Sequence, residues 1–333
     1  MRLMNQKSCT RLAASALFVF AGFAASAEIV NVSTANTTIL LDATDGAPLR
    51  FLYYGEKLPA SDVAGVAESA STPLDAYPVY GMTSHRETAM SVTHPDGNMT
   101  LDMAVTGVER KNTDNGEETI VKMTDKHYPF DINIYYRTYN GSDVIETWAE
   151  AVNRGKAAVT LSEFASAYLP IRYGNVHMTS FYGSWANESK VEEAPLVHGM
   201  KVIKNKDGVR NTHTAQPNVM FSLDGVPSEN SGRTIGAALC YGGNYRLRVD
   251  TDDSNFHHFF AGINEDNSAY RLAKGQVFAT PALALTYSDE GKGGVSRNFH
   301  RWARKYKIAH GEQHRKVLLN SWEGVYFDIN EQG

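Results

Sequence analysis

Glu323 and Asp328 are the first residues whose types suggest catalysis, because these two acids flank a short aromatic stretch, 324–327. Paired carboxyl groups hydrolyse glycosides at separations of about 5–5.5 Å for retention or about 6.5–9.5 Å for inversion. In an extended chain, steps of ~3.3 Å per residue place this pair roughly 16 Å apart, and the odd offset directs the side chains to opposite faces. A turn after Trp322 would shorten that distance, but the spacing makes the pair a poor dyad and we reject it.

Other familiar catalytic patterns are absent from the sequence, which has no Gly-rich phosphate loop with a lysine, no Gly-x-Ser-x-Gly and no His-Glu-x-x-His. His257 and His258 are adjacent, and neighbours on a strand point to opposite faces, so structural or surface roles are favoured over a shared metal. Cys9 lies in the leader described below, which leaves Cys240 without a partner for an internal disulfide. The residues predict no metal site.

A sugar-binding surface is the chemistry that the aromatic residues allow. Four of them lie beside polar residues: Tyr182, Trp185, Trp322 and Tyr326. A flat aromatic ring next to hydrogen-bonding groups suits the two faces of a pyranose. Ordinary packing is the stronger interpretation for any single one of these residues.

The elements that must position these side chains are mostly β-strands. Residues 130–138, "FDINIYYRT", place apolar side chains at every second position. Asn140-Gly141 then predicts a hairpin turn with positive φ at both central positions, and residues 143–152 return. Similar short runs, such as "TILLDA", "YRLRVDT" and "FATPALALTYS", recur between turn residues. This pattern predicts an all-β sandwich rather than βαβ units.

The pattern changes after residue 288. Residues 291–311 begin with glycines and then carry apolar residues at helical spacing: Val295, Phe299, Trp302 and Tyr306. This indicates one amphipathic helix that packs on the sandwich, with Trp302 in the core. A polar connector follows, and then residues 317–319, "VLL", predict a buried strand.

Composition and charge describe an ordinary globular protein. The chain has 333 residues, 42% of them hydrophobic, and a formal net charge of −5, which argues against a nucleic-acid binder. At the N-terminus, Arg2, Lys7 and Arg11 precede an apolar run, 12–27, that ends in small residues. This predicts a signal peptide cleaved before Glu28, and hence a periplasmic or secreted bacterial protein. The run is shorter than the ~20 residues of a membrane span.

Four segments together resemble glycoside hydrolase family 36 α-galactosidases. "VLLNSWEGVYFDINEQG" is similar to the family's V-L-I-N-N-W-E-A-T-Y-F-D-F-N-E at the entry to the catalytic barrel. "YSDEGKGGVSRNFH" resembles its Y-S-D-x-G-x-x-G-x-S-x-x-F-H run. "GSWANES" is similar to its G-x-W-x-R-E-R segment, and "DAYPVYGMTSHRETA" to its E-Y-P-x-Y-G-x-x-D-x-R-x-P-A motif. The resemblance covers essentially all of the mature chain.

After the signal peptide (1–27) predicted above, the resemblance implies a large all-β N-terminal β-supersandwich (28–290), a linker helix (291–312) and the first strand of a truncated (β/α)8 barrel (313–333). Trp322 matches the family's tryptophan beside the galactose pocket, at the end of a barrel strand where such active sites lie. Arg86 matches the arginine of the sandwich motif, and both residues are expected to bind substrate. The loop between residues 55 and 77 is shorter than in tetrameric members, where it reaches a neighbouring subunit's site, so the sequence does not indicate that tetramer. A homo-oligomer of another kind stays open.

The implied function is hydrolysis of terminal non-reducing α-D-galactosyl residues with retention, with α-galactoside oligosaccharides as partners and no cofactor, nucleic acid or membrane span. The family's catalytic aspartates lie in K-W-D and later motifs, and neither K-W-D nor D-D-G-W occurs here. The chain alone is therefore expected to be inactive. A non-catalytic carbohydrate-binding module and a scaffold are the alternatives. The sequence does not separate α-galactosidase from α-N-acetylgalactosaminidase.

Overall fold

Strands in three antiparallel sheets are the main regular structure of the residues described below. A computed structural model describes residues 28–69, 74–82, 87–210 and 214–332. The strands, in chain order, are β1 (Ile29–Ser33), β2 (Thr37–Asp42), β3 (Arg50–Glu56), β4 (Leu74–Asp75), β5 (Met90–Thr93), β6 (Met103–Thr113), β7 (Gly116–Asp125), β8 (Phe130–Thr138), β9 (Val144–Asn153), β10 (Val159–Ile171), β11 (His177–Tyr182), β12 (Lys190–Pro195), β13 (Gly199–Lys204), β14 (Ala215–Ser222), β15 (Thr234–Leu239), β16 (Tyr245–Thr251), β17 (His257–Ile263), β18 (Tyr270–Leu272), β19 (Val277–Ala279) and β20 (Leu283–Ser288).

The sheets contain four, six and ten strands. The small sheet has the order β1-β2-β3-β4. The six-stranded sheet has the order β13-β16-β17-β10-β18, with β5 also paired to β10. The ten-stranded sheet has the order β12-β11-β14-β15-β20-β9-β8-β7-β6, with β19 paired to β9. The prediction of an all-β fold is confirmed.

Alternation of apolar and polar residues explains why the sheets pack face to face. In β8, every second side chain from Phe130 to Tyr136 is buried, as the sequence predicts, and those between are half-buried. The inner faces of the sheets share one core. Its largest fully buried side chains include Tyr245, Phe130, Phe221, Phe259 and Phe260. Burial of alternate side chains fixes the register, because a shift by one residue would turn the apolar set outward.

Two turns differ from the sequence predictions. Five residues, not two, separate β8 from β9, and of the predicted pair Asn140-Gly141 only Gly141 has positive φ, at 70°. The run "FATPALALTYS" is interrupted between β19 and β20 at Pro281, which has no N–H to donate to a ladder. In this gap the Thr280 hydroxyl donates to the Ala149 carbonyl oxygen at 3.1 Å.

Helices are few, and one of them was not predicted. Helix α1 (Ala60–Ser69) lies between β3 and β4 and has no buried residue, so it lacks the apolar stripe that would have revealed it. The predicted linker helix is α2 (Gly291–Trp302), extended by a π-helical turn, Ala303–Lys307. It ends before the predicted limit of 312. Among the described helices, none combines the length and the apolar character needed to cross a lipid bilayer.

The predicted barrel strand is not formed. Residues 314–321 adopt no regular structure, and Val317, Leu318 and Leu319 are almost fully exposed, at 102%, 88% and 88%. A parallel barrel strand needs hydrogen-bonded neighbours on both sides, and the described residues supply none for this segment. A four-residue helix, α3 (Trp322–Val325), follows.

Candidate functional site

Helix α2 connects the sandwich to the aromatic C-terminal segment, and it packs on the outer face of the ten-stranded sheet. Val295 and Trp302 are buried there, as predicted from their spacing. Gly236 of β15 provides the contact surface: a Cβ atom at this position would lie 2.3 Å from Val295 Cγ1 and 2.7 Å from Phe299 Cε2. The absence of a side chain therefore lets the helix lie directly on the sheet.

The glycines at the start of α2 also allow the helix to pack closely against the residues beneath it. Gly291 has a φ of 66°, and a Cβ atom there would lie 2.5 Å from the Ser228 carbonyl oxygen. At Gly294 it would lie 2.0 Å from Ser288 Oγ. Only glycine permits this close approach between the helix and the loop and strand beneath it. The "GKGG" run is thus explained by packing rather than by phosphate binding.

Glu146 anchors the other end of the linker. Its carboxylate is 1% exposed, and Lys307 Nζ lies 2.5 Å from Oε1. The Tyr139 hydroxyl donates a hydrogen bond to Oε2, and the Cys240 thiol lies 3.7 Å from Oε1. Arg137 approaches Oε2 at 3.9 Å. A buried carboxylate with these partners fixes the last turn of the linker to β9.

Burial and the charge of Glu146 change the pKa values of its neighbours Lys307 and Cys240. Burial alone would lower the pKa of Lys307, but the hydrogen bond and charge of Glu146 outweigh it, so that pKa is raised. Burial, and then the charge of Glu146, raise the pKa of the Cys240 thiol to about 12. The lysine is therefore held in its charged form and the thiol in its neutral form.

A second anchor lies at the turn between β8 and β9. The Asn140 carbonyl oxygen accepts hydrogen bonds from Lys305 Nζ, at 3.1 Å, and from the Tyr306 hydroxyl. The turn therefore presents a backbone carbonyl group to the linker. Two consecutive linker residues and Lys307 thus set the direction in which the chain leaves the sandwich.

Trp322 lies beyond this linker in the aromatic turn. It is 45% exposed, and its ring packs edge-on against Tyr326, at 5.4 Å, and Phe327, at 5.0 Å between ring centroids. The helical turn that begins at Trp322 brings Glu323 and Asp328 onto a bent chain, so the extended geometry assumed for them does not apply. The described aromatic contacts do not join Trp322 to Tyr182 or Trp185.

Tyr182 and Trp185 lie in another part of the protein. Tyr182 is the last residue of β11, and Trp185 lies in the turn that follows. Trp185 is 81% exposed and Tyr182 is 48% exposed. The adjacent Ala186 has a φ of 58°, and its N–H donates to Glu188 Oε1 at 3.0 Å. The turn therefore presents an indole ring to solvent on a locally constrained backbone.

Arg86 lies outside the described residues, but the residues that follow it are firmly held. Arg248 lies 2.9 Å from Glu87 Oε2 and donates to the Thr88 carbonyl oxygen, although its side chain is buried. Its guanidinium group also lies 4.6 Å from the Phe260 ring. Leu247 and Val249 of β16 face the core, and strand alternation places Arg248 on the opposite face of the sheet. No pattern in the sequence therefore indicated that the Arg248 side chain is buried.

The adjacent histidines have separate structural roles, as predicted. His257 is buried and bonds Thr251 Oγ1 at 2.8 Å and the Tyr173 carbonyl oxygen at 3.0 Å. His258 faces the other way and bonds the Tyr168 hydroxyl at 2.8 Å and Asp252 Oδ2 at 3.2 Å.

Comparison with known proteins defines the class to which this sandwich and linker belong. Residues 47–273 match the glycosyl hydrolase family 36 N-terminal domain, and residues 277–333 match melibiase. The first match covers more than half of the chain, which therefore belongs to glycosyl hydrolase family 36.

Particular relatives share this assignment. The chain is 27% identical over 338 residues to the bifunctional alpha-galactosidase/sucrose kinase AgaSK of Mediterraneibacter gnavus, covering 91% of this chain and 36% of that protein. It is also 27% identical over 340 residues to alpha-galactosidase Mel36A of Lactobacillus acidophilus, covering 91% and 46%. The chain thus spans less than half the length of these relatives.

Solved structures share the fold. The galactosidase domain of AgaSK superposes with a TM-score of 0.81 at 26% identity, covering 90% of this chain and 46% of that one. The GH36 alpha-galactosidase AgaA of Geobacillus stearothermophilus gives a TM-score of 0.82 at 22% identity, covering 92% and 47%. AgaA variants have been crystallised with raffinose and with stachyose.

Proposed function

We propose that this chain supplies the N-terminal sandwich and the linker of an α-galactosidase that removes terminal α-D-galactosyl residues with retention. The observation that carries the proposal is the pair of consecutive family matches, the second of which begins at β19 and runs through α2 into the aromatic turn. The relatives that match 91% of this chain are named as alpha-galactosidases, one of them bifunctional. A retaining mechanism needs two carboxyl groups about 5–5.5 Å apart, which we assign to a barrel that follows the linker.

The C-terminal segment supports this assignment. Three consecutive apolar side chains, at 317–319, are exposed to water, although such residues favour burial. We assign residues 313–333 to the start of a (β/α)8 barrel, where these side chains would be covered by neighbouring strands and helices. The sandwich would then comprise residues 28–290 and the linker residues 291–312.

Trp322 and Arg86 are the proposed substrate-binding residues. Trp322 would lie at the C-terminal end of the first barrel strand, the end at which barrel active sites form. Arg86 directly precedes Glu87 and Thr88 in the sequence, and both of these residues are bound by Arg248. Oligosaccharides with terminal α-galactosyl groups, such as raffinose and stachyose, are the proposed substrates, and no cofactor takes part in the reaction.

A chimera tests the proposal directly. Residues 28–312 would replace the corresponding part of Mel36A, and galactose release from an aryl α-galactoside would be measured. We expect activity from the chimera and none from the purified 333-residue chain. The proposal fails if the chain alone releases galactose, or if a folded chimera is inactive.

Export is a further part of the proposal. Residues 1–27 lie outside the described residues, and their charge and apolar pattern supports a cleaved leader. N-terminal sequencing of the protein recovered from a bacterial periplasm should give Glu28 as the first residue. Recovery of the intact N-terminus from the cytoplasm would contradict this.

A carbohydrate-binding module is the second candidate function, and the exposure of Trp185 favours it. Calorimetry with galactose and raffinose separates the two candidates. Binding that is lost in Trp185→Ala or Tyr182→Ala would place a sugar site on the β11 turn, where the first proposal requires none.

A further inference from the structure

Three loops meet at the end of the sandwich that lies away from the linker. They are residues 94–98 after β5, residues 126–129 between β7 and β8, and residues 154–158 between β9 and β10. Strand β8 runs from this end to the Asn140 turn beneath the linker. At ~3.3 Å per residue its length is roughly 26 Å, so these loops lie about that far from the turn that the linker contacts.

A cavity of about 290 Å³ opens between these loops. Its apolar wall is formed by Pro95, Tyr128, Pro129, Phe130 and Val159. This volume is at the lower limit of the range for small-molecule sites, about 300–1,000 Å³, and suits one ring rather than a long chain. The flat faces of two prolines and one tyrosine give the cavity the character of a stacking site.

Tyr128 is held in place before any ligand arrives. Its ring stacks on the buried His94 ring, with centroids 3.7 Å apart and planes 7° from parallel. Its hydroxyl donates to Asp96 Oδ2 at 2.8 Å and accepts from Asn98 Nδ2 at 2.9 Å. Its backbone N–H donates to Asp125 Oδ1 at 2.6 Å. A ring fixed in this way loses little conformational entropy when a ligand packs against it.

The opposite wall is equally well defined. Asn153 Nδ2 donates to the carbonyl oxygens of Ala157, at 2.8 Å, and Leu272, at 3.1 Å, and its Oδ1 accepts from Gly155 N at 2.9 Å. A Cβ atom on Gly155 would lie 3.4 Å from Pro129 Cγ. This is an ordinary contact distance, so the backbone of Gly155 lies directly beside Pro129 in the cavity wall.

The polar groups at the cavity select the kind of ligand. Asp96 carries a carboxylate, and Lys156 carries an exposed ammonium group with no hydrogen bond or ion pair among the described residues. The two charges cancel, so the cavity favours neither an anion nor a cation. Buried His94 Nε2 also has no hydrogen-bond partner among the described residues, which leaves a polar edge behind the stacked ring.

We propose that this cavity binds one pyranose ring of a neutral saccharide. The C–H face of the ring would pack on Tyr128 and the prolines, and its hydroxyl groups would donate to Asp96 and accept from Lys156. A pyranose combines an apolar face with uncharged donors and acceptors, as this lining requires. The site would hold a saccharide on the sandwich, at the loops opposite the Asn140 turn; that the ring is an α-galactosyl group rests on the proposed function.

The test uses the full chain, with calorimetry and ligand-observed NMR against galactose, raffinose, glucose and maltose at tens of millimolar. We expect millimolar binding of at least one of these sugars. Tyr128→Ala should weaken it by about tenfold and Lys156→Ala by about threefold, whereas Tyr128→Phe should keep most of the affinity because the ring is retained.

The matched control is Phe256→Ala, which removes a partly exposed aromatic ring from the turn between β16 and β17, at the other end of β10, and should leave the affinity unchanged. Lys156 is exposed, so its replacement leaves the fold intact and isolates the contribution of the ammonium group. No binding of any of the four sugars would overturn the proposal, as would binding that Tyr128→Ala and Lys156→Ala do not weaken.

This result is separable from the proposed function. Galactose release by the Mel36A chimera depends on the barrel and is measured without reference to the cavity. An inactive chimera with an intact sugar site would reject only the proposed function, and an active chimera without sugar binding at Tyr128 would reject only this inference.

Discussion

The ammonium group of Lys307 lies 2.5 Å from Oε1 of Glu146, and this ion pair joins the last turn of the linker to the second strand of a hairpin. The two partners are unequally buried, because the carboxylate is 1% exposed and the ammonium group is 37% exposed. Removal of the lysine therefore leaves a buried charge with weaker partners, whereas removal of the carboxylate leaves a lysine that reaches water.

Lys307→Met should consequently destabilise the chain more than Glu146→Gln does. We expect a loss of about 2 kcal/mol for Lys307→Met, below the 3–5 kcal/mol of fully buried pairs because the lysine is partly solvated. The double variant should recover part of this loss. Urea unfolding of the four proteins gives the coupling energy, and equal losses for both single variants would contradict the asymmetry.

Cys240 should react slowly with thiol reagents. Solvent reaches part of the residue, but the groups around its thiol desolvate the sulfur. Only the thiolate is nucleophilic, and burial together with the charge of Glu146 raises the thiol pKa to about 12. Glu146→Gln removes that charge, so the rate of reaction with a disulfide reagent at pH 8 should increase several-fold. Cysteine in an unstructured peptide serves as the reference. A wild-type rate equal to that of the peptide would refute the assignment.

Gly236→Ala should displace helix α2. The new methyl group would overlap Val295 and Phe299, and overpacking of this kind costs about 1–3 kcal/mol. Gly242→Ala is the matched control, because a Cβ atom there has no described neighbour within 4 Å. Thermal unfolding and hydrogen exchange across residues 291–307 measure the effect. The packing argument fails if the two variants have the same stability.

The stability of the chain should fall as the pH drops below about 6.5. Burial lowers the pKa of His257, although the hydrogen bond to the Tyr173 carbonyl group opposes the shift. The unfolded chain therefore binds a proton near pH 6.5 that the folded chain does not, and acid favours unfolding. The contribution of neutral His257 to the free energy of unfolding is complete above about pH 6.5. It is lost progressively as the pH falls from there through the folded-state pKa of this histidine.

His257→Gln provides the control for this pH dependence. The difference in the free energy of unfolding between pH 7.5 and pH 5.5 should be smaller in the variant than in the wild-type chain. An unchanged difference would assign the effect to other groups, such as His94, whose pKa burial also lowers.

Local patterns in the sequence predicted those parts of the fold that depend on local spacing. The alternation in β8 and the stripe of Val295, Phe299 and Trp302 were sufficient to place a strand and a helix with their buried faces. The strand predicted at 317–319 is not formed among the described residues, since a strand depends on partners as well as on its own residues.

The candidate sites were less accessible to prediction. Glu146, Lys307 and Cys240 are far apart in the chain, and no spacing rule connects a carboxylate on β9 with a lysine at the end of a helix. Tyr128 stood in a short polar loop with no recognisable motif. Glu146, Lys307 and Cys240 come together only because of the order and register of the strands, and the same is true of Tyr128 and His94.

The connection between β12 and β13 has a mechanical consequence. The two strands lie at the edges of different sheets, and only residues 196–198 separate them. Leu196 is tied at this corner by its N–H, which donates to the Val176 carbonyl oxygen at 2.8 Å. Because four residue steps of ~3.5 Å join the two edges, Pro195 and Gly199 can separate by no more than roughly 14 Å while the connection is intact.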